Sequence, residues 1–196
     1  MRVFLAGAGG VIGSRLVPLL VAARHEVIAF TRTPSKAPSL ERAGASVVVG
    51  DVYDLESLAG SMEETKPDVI LHELTDLPDD PRRLGQARSA NARIRVEGTD
   101  NLLEAARRAG VGRIVAQSVA WAIDDPVGRH GVAHLESAVL ESGGVVLRYG
   151  QFYGPGTYHA TPPPPPRIHI DEAAERTVEL LDSPTGTYLV TEERDP

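Results

Sequence analysis

The chain has 196 residues, 42% of them apolar and 24% charged, which suits one well-packed α/β domain better than two. Its formal charge of −7 argues against a general nucleic-acid or membrane-surface binder, since either partner calls for a basic face. There is no cysteine, which removes disulfides, thiol nucleophiles and thiolate metal sites, and no apolar run approaches the roughly 20 residues that span a bilayer.

The first apolar stretch, Arg2–Ala6, is too short for a signal peptide and runs straight into glycines. A cytoplasmic location is the expectation. Apolar runs of strand length then alternate with amphipathic stretches of helix length, the pattern of a parallel sheet covered on both faces. In chain order the strands are predicted at Arg2–Ala6, Glu26–Phe30, Ser46–Val49, Val69–His72, Arg113–Gln117, Val145–Arg148 and Tyr188–Val190. The helices are predicted at Val11–Ala23, Ser35–Ala43, Leu55–Glu63, Leu84–Ala109, Val132–Glu141 and Asp171–Leu181, with Pro18 near the first turn of the first. Right-handed crossovers through these elements give a doubly wound, Rossmann-type sheet of seven strands forming a single domain over residues 1–196. Pro162–Pro166, five consecutive prolines, is expected as a stiff polyproline II connector.

Gly7-Ala8-Gly9-Gly10-Val11-Ile12-Gly13 lies between the first strand and the first helix, where a glycine motif has a physical meaning. Gly7 permits a tight turn, Gly10 lets backbone approach a pyrophosphate, and Gly13 lets helix pack on strand. The amides from Val11 and Ile12 onward, with the positive end of the helix dipole, would face the phosphates. At the end of the second strand an NAD-selective site usually carries an acid for the ribose hydroxyl. This chain has Arg32 there, with Thr31, Thr33, Ser35 and Lys36 beside it, so a 2′-phosphate and hence NADP is expected, with NAD the other dinucleotide. Asp51 and Val52, after the third strand, would border the adenine.

These residues resemble the short-chain dehydrogenase/reductase superfamily, in its extended and atypical branch, the NAD-dependent epimerase/dehydratases. The resemblance covers most of the chain: Gly7-x-x-Gly10-x-x-Gly13, Gly50-Asp51-Val52, Val69–His72, the stretch from Asn91 through Glu97-Gly98-Thr99 to Ala106, Val146–Gly156 and Ile168–Ala174. It implies that Arg148–Gly156 passes the nicotinamide half of the cofactor and that His72 has a structural place beside it. It also implies a tyrosine and, four residues on, a lysine that lowers its pKa. Aligned on Glu136, those positions fall near Gly131 and Leu135. No tyrosine lies between Tyr53 and Tyr149 and no lysine follows Lys66, so the dyad is missing. The stretch after Trp121 and residues 149–170, the family's substrate and lid segments, are shortened.

A proton donor must then come from other groups near the nicotinamide. Ser118 and Tyr153 lead, with His130 third and His134, Tyr149 and Glu73 behind them. Ser118 lies close to the family's catalytic hydroxyl, Tyr153 in the segment passing the cofactor, and His130 titrates near neutrality, although it also reads as an exposed loop residue. Trp121 would serve as a pocket wall or as a packed core indole. His130 and His134 have helical metal-ligand spacing, but no third ligand is spaced to join them and no metal is expected. The expectation is an NADP-dependent reductase, isomerase or dehydratase acting on a small carbonyl or polyketide-like metabolite, with room for a homodimer. A non-catalytic NADP-binding sensor or partner subunit, and a cofactor-independent isomerase or cyclase on the same scaffold, are the alternatives.

Overall fold

The computed structural model describes residues 1–192. Strand β1 (Arg2–Ala6) sends alternate side chains to opposite faces: Val3 and Leu5 join one core, Phe4 and Ala6 the other. All four are fully buried, so the strand belongs at the centre of a sheet covered on both sides. Around it the chain builds β2 (Glu26–Thr31), β3 (Ser46–Val49), β4 (Val69–His72), β5 (Ile114–Val119), β6 (Val145–Tyr149) and, later, β9 (Gly186–Val190). The seven strands are all parallel in the order β3-β2-β1-β4-β5-β6-β9. The order reverses between β1 and β4, which opens a crevice at their carboxyl ends.

One core lies under helices α1 (Gly13–Ala22), α2 (Ala37–Arg42) and α7 (Ile170–Glu179), and is filled by residues such as Leu16, Leu20, Leu40 and Ala174. The other lies under α3 (Leu55–Thr65), α5 (Thr99–Ala109) and α6 (Pro126–Glu141), with Leu58, Met62, Leu102 and Val139. This is the expected doubly wound fold, with all seven predicted strands present.

Several local expectations are corrected. The segment predicted as one helix over Leu84–Ala109 is a 3-10 turn (Pro81–Gln86), then α4 (Arg88–Arg93), a π-helical turn (Ile94–Gly98) and α5. Helix α6 starts six residues earlier than predicted, because Asp125 caps it by accepting from the Gly128 amide and Pro126 occupies a first-turn position that needs no amide donor. Pro18 is the sixth residue of α1 rather than a first-turn residue; it and Ser14, whose carbonyl loses its partner, are exposed, so water can satisfy that oxygen. Two short strands, β7 (Gln151–Tyr153) and β8 (Arg167–His169), pair in parallel as a separate sheet that periodicity did not announce. The five prolines between them are tied down through carbonyls: Pro163 accepts from Arg167 and Pro166 from the Gln151 amide. The Pro165–Pro166 peptide is cis, so the run is not one uninterrupted polyproline II helix.

Candidate functional site

A cleft of about 1290 Å³ runs along the carboxyl ends of the central strands, from the glycine loop to β5 and β6. Gly7 turns out of β1 at φ 94°, with space for no side chain: a Cβ would lie 2.7 Å from the Glu73 carbonyl oxygen. A Cβ on Gly13 would lie 2.2 Å from the Gly7 carbonyl oxygen, so this glycine holds loop and helix together. Gly13 does not itself line the cleft, whereas Gly7, Gly10, Val11 and Ile12 do. No side chain caps the start of α1 and no acid lies in its first turn, which leaves the helix end to an external anion. The cradle fits a pyrophosphate.

Arg32, Asp51 and Val52 line the same cleft beyond the loop. The Arg32 guanidinium is paired with Asp76 at 2.6 Å, a partner 44 residues away that the sequence did not suggest. Lys36 reaches back to the Gly9 carbonyl and joins Arg32 in a basic rim above Thr31. Asp51 accepts from the Tyr53 amide at 3.0 Å, and the Val52 carbonyl is held by Asn101 at 2.9 Å. The guanidinium of Arg93 stacks over the Tyr53 ring at 4.0 Å.

On the other side of the switch point the cleft is built from side chains. His72, at the end of β4, is buried, with Nε2 3.1 Å from the Thr99 hydroxyl while its Nδ1 accepts from the Leu74 amide. Burial, with the nearby Arg95 charge, pushes its pKa down to about 3, so the ring is neutral and its tautomer is set by the two bonds. The next residue, Glu73, is also buried and lines the cleft. Tyr149 donates to its Oε1 at 3.2 Å, and Oε2 has no partner among the described residues. Burial pushes this carboxyl up to about 8, against the smaller opposing effect of the Tyr149 bond. It is a neutral acid at pH 7.

Ser118 is buried inside β5 rather than after it, and lines the cleft. Its hydroxyl donates to Glu136 at 2.5 Å, and Arg148 closes on the same carboxylate from β6 with bonds of 2.8 and 2.5 Å. Burial pushes the Glu136 carboxyl up, but the bonds from Arg148 and Ser118 together hold it below the usual range. The Ser118 proton is therefore committed to an anion. At the position aligned with the family's tyrosine, a Cβ on Gly131 would stand 3.0 Å from the Cα of Ala92, and Leu135 is in the core. Close packing of α6 on α4 occupies the face that would carry the dyad.

Neither of the other two predicted proton donors lines the cleft. Tyr153 stands on β7, where its hydroxyl donates to Glu192 and its ring packs edge-on against His169; the Glu192 carboxylate pushes its pKa up. Its cleft-lining neighbour Phe152 takes the opposite face of the strand. His130 is exposed in the second turn of α6, not in a loop, near the ring of His134, which itself bonds Asp100. The Glu136–Arg148 pair, Asp76 and Arg95 were missed. All are charged residues that look like solvated surface in a one-dimensional reading, and only tertiary placement brings Arg95 into the cleft and the others against Ser118 and Arg32.

An all-parallel sheet, a glycine cradle at its switch point and a basic rim where a ribose would lie define a dinucleotide-binding protein. A family model described as NAD(P)H-binding matches residues 7–141, and the chain belongs to that family. Among known proteins, a 3-diazoavenalumate denitrifying reductase from a Streptomyces species is 37% identical over 239 aligned positions, taking in 98% of this chain and 76% of that protein. A UDP-glucose 4-epimerase from Mycolicibacterium smegmatis is 37% identical over 128 positions, 60% of this chain and 38% of that enzyme. The fold matches the UDP-glucose 4-epimerase of Thermus thermophilus, solved with NAD, at a TM-score of 0.79 and 21% identity, covering 97% of this chain and 78% of that one. Among the described residues no helix is long and apolar enough to cross a membrane.

Proposed function

We propose that this protein is an NADPH-dependent reductase of a small molecule, with Glu73 as its proton donor. The observation that carries the reading is the joining of the glycine cradle, the Arg32–Lys36 rim and the neutral Glu73 carboxyl in one cleft. Its volume exceeds the roughly 300–1,000 Å³ of a typical small-molecule pocket, which favours a dinucleotide with a second molecule beside it. The 37% identity to a reductase over nearly the whole chain supports the same class.

When bound, the dinucleotide supplies a hydride. The chain's own residues do the rest. The loop Gly7–Gly13 orients the phosphates by backbone, and Arg32 with Lys36 favours a 2′-phosphate, for which Asp76 must give way. Glu73 holds its proton through neutral pH with Oε2 unpartnered, and Tyr149 fixes the carboxyl by its hydroxyl. A donor titrating near the working pH is well matched to proton transfer. Ser118 is the second choice, because its proton is already shared with Glu136.

The missing dyad favours a second reading, a non-catalytic NADP-binding subunit. Titration with NADPH and NADH separates the cofactor question from catalysis. Tighter NADPH than NADH binding, with consumption of NADPH on addition of a reducible substrate, supports the reductase. NADPH binding with no turnover on any substrate that itself binds would overturn it in favour of the subunit.

A further inference from the structure

The π-helical turn at Ile94–Gly98 carries Arg95 into the cleft. This residue is only 6% exposed, and its guanidinium makes no hydrogen bond or ion pair with any described residue. An arginine keeps its charge in any protein, and burying an unpaired charge is costly. None of its nitrogens is both sealed from solvent and unpartnered, so the guanidinium faces the cleft and is open to an incoming anion.

Neither of the two acids of the inner wall, Glu136 and Glu73, supplies that anion. Glu136 is close enough to be felt by Arg95, but both its oxygens are taken by Arg148 and Ser118. His72, on the other side, is held neutral by burial and by Arg95 itself. Glu73 is neutral because burial pushes it up to about 8. Arg148 and Glu136 pair with each other, which leaves Arg95 as the buried cation of this half. The other charged residues lining it, Asp79, Asp80, Arg83, Arg88, Asp124 and Asp125, are exposed or half-buried. The cradle for the cofactor's phosphates is across the switch point, on the other side of β1 from β4 and β5.

We infer that Arg95 recognises a carboxylate on the substrate, so that the small molecule this cleft takes is an anion. The planar fork of a guanidinium matches the two oxygens of a carboxylate. Trp121 and Tyr158, two exposed aromatic residues lining the same cleft, offer surface to an apolar or aromatic body attached to that carboxylate. The inference rests on the reductase reading only in calling this ligand the substrate.

Trp121 is the only tryptophan of the chain and lines the cleft, so its emission reports binding there directly. The full chain is titrated with benzoate, 3-phenylpropionate and 5-phenylpentanoate, and with the primary amide of each. At least one carboxylate is expected to bind about tenfold or more tighter than its neutral amide, as for a charge-assisted pair. Arg95→Gln should erase that preference, while Arg95→Lys, which keeps the charge but not the fork, should retain part of it. Equal binding of acids and amides to the wild type, no binding of any acid, or an undiminished preference in Arg95→Gln would each overturn the inference. NADPH binding, followed by the emission of the reduced cofactor, is measured on the same samples. Carboxylate preference without NADPH binding would sink the reductase and leave the anion site standing; the converse would do the reverse. Should Arg95→Gln fail to fold, the acid–amide comparison on the wild type and the lysine variant still decides.

Discussion

The two sides of the switch point are built on different principles. From β1 to β3 the cleft wall is backbone: Gly7 at φ 94°, Gly13 packed on the Gly7 carbonyl, and a helix end without a capping side chain. From β4 to β6 it is side chain: Glu73 and Ser118, held by bonds to Tyr149 and Glu136 far away in sequence, and Arg95. A backbone cradle tolerates almost any sequence that supplies glycines at three places. A side-chain wall can be rebuilt residue by residue. The difference teaches that the cofactor half can stay constant while the facing half is rebuilt, as the absence of the dyad at Gly131 and Leu135 illustrates.

The largest expected effect breaks the first half alone. Gly10 is exposed, and a Cβ there would meet only the Gly7 carbonyl oxygen, at 3.2 Å. Gly10→Val should therefore keep its circular dichroism spectrum and lose NADPH affinity by roughly 10²-fold or more, because the side chain stands where the pyrophosphate approaches. Gly13→Val, whose Cβ would lie 2.2 Å from the same oxygen, should instead lose the fold. If Gly10→Val binds NADPH normally, the loop is not the cradle.

A change at Glu73 tests the second half. Glu73→Gln should lower turnover about 10²–10⁴-fold while leaving NADPH binding intact, and should abolish a fall in rate as pH rises through about 8. Stability moves the other way. With a folded pKa near 8 against 4.5 unfolded, the stability from the protonated carboxyl is fully present below pH 4.5 and is lost as pH rises through about 8. The melting temperature of Glu73→Gln relative to wild type should then climb across that window. A difference that stays flat across the same range would show that Glu73 is ionised in the fold.

Legibility follows the same division. The seven strands and the glycine cradle could be read in one dimension because each depends on local spacing and on a residue type with a backbone meaning. Arg32 could be placed, but its partner Asp76 could not, since nothing local links positions 44 residues apart. Ser118 was placed near the site but one step wrong in kind: it lies within β5 and serves a carboxylate. Arg95 gave no signal because its inward turn depends on a π-helical turn that hydrophobic periodicity smooths into one long helix. Glu73 ranked behind other candidates because burial, which makes it an acid, is a tertiary property.

The Arg32–Asp76 pair sharpens the boundary between the halves. Arg32→Ala should cost NADPH about 1–3 kcal/mol more than NADH, the loss of a charge-assisted contact to the 2′-phosphate. Asp76→Asn frees the guanidinium and removes a negative charge from the rim, so it should tighten NADPH and leave NADH nearly unchanged. Calorimetric titration of both cofactors checks the pair. Equal losses in Arg32→Ala would leave the basic rim with no role in choosing the phosphate.

The smallest effects belong to the two candidate donors that stand outside the cleft. Tyr153 gives its proton to Glu192 and packs on His169, so Tyr153→Phe keeps the ring contact and loses one hydrogen bond at a partly exposed site. Its cost should be about 0.5–1.5 kcal/mol of stability, with turnover changed less than about twofold. His130→Gln removes an exposed ring whose neighbour His134 keeps its bond to Asp100, so stability should move by no more than about 0.5 kcal/mol. Thermal melts and steady-state rates on both variants make the measurement. A fall in turnover approaching that of Glu73→Gln in either would mean that a second element closes over the cleft during the reaction and brings that side chain in. The proton would then come from the lid side, and the buried carboxyl would be a structural acid rather than the donor.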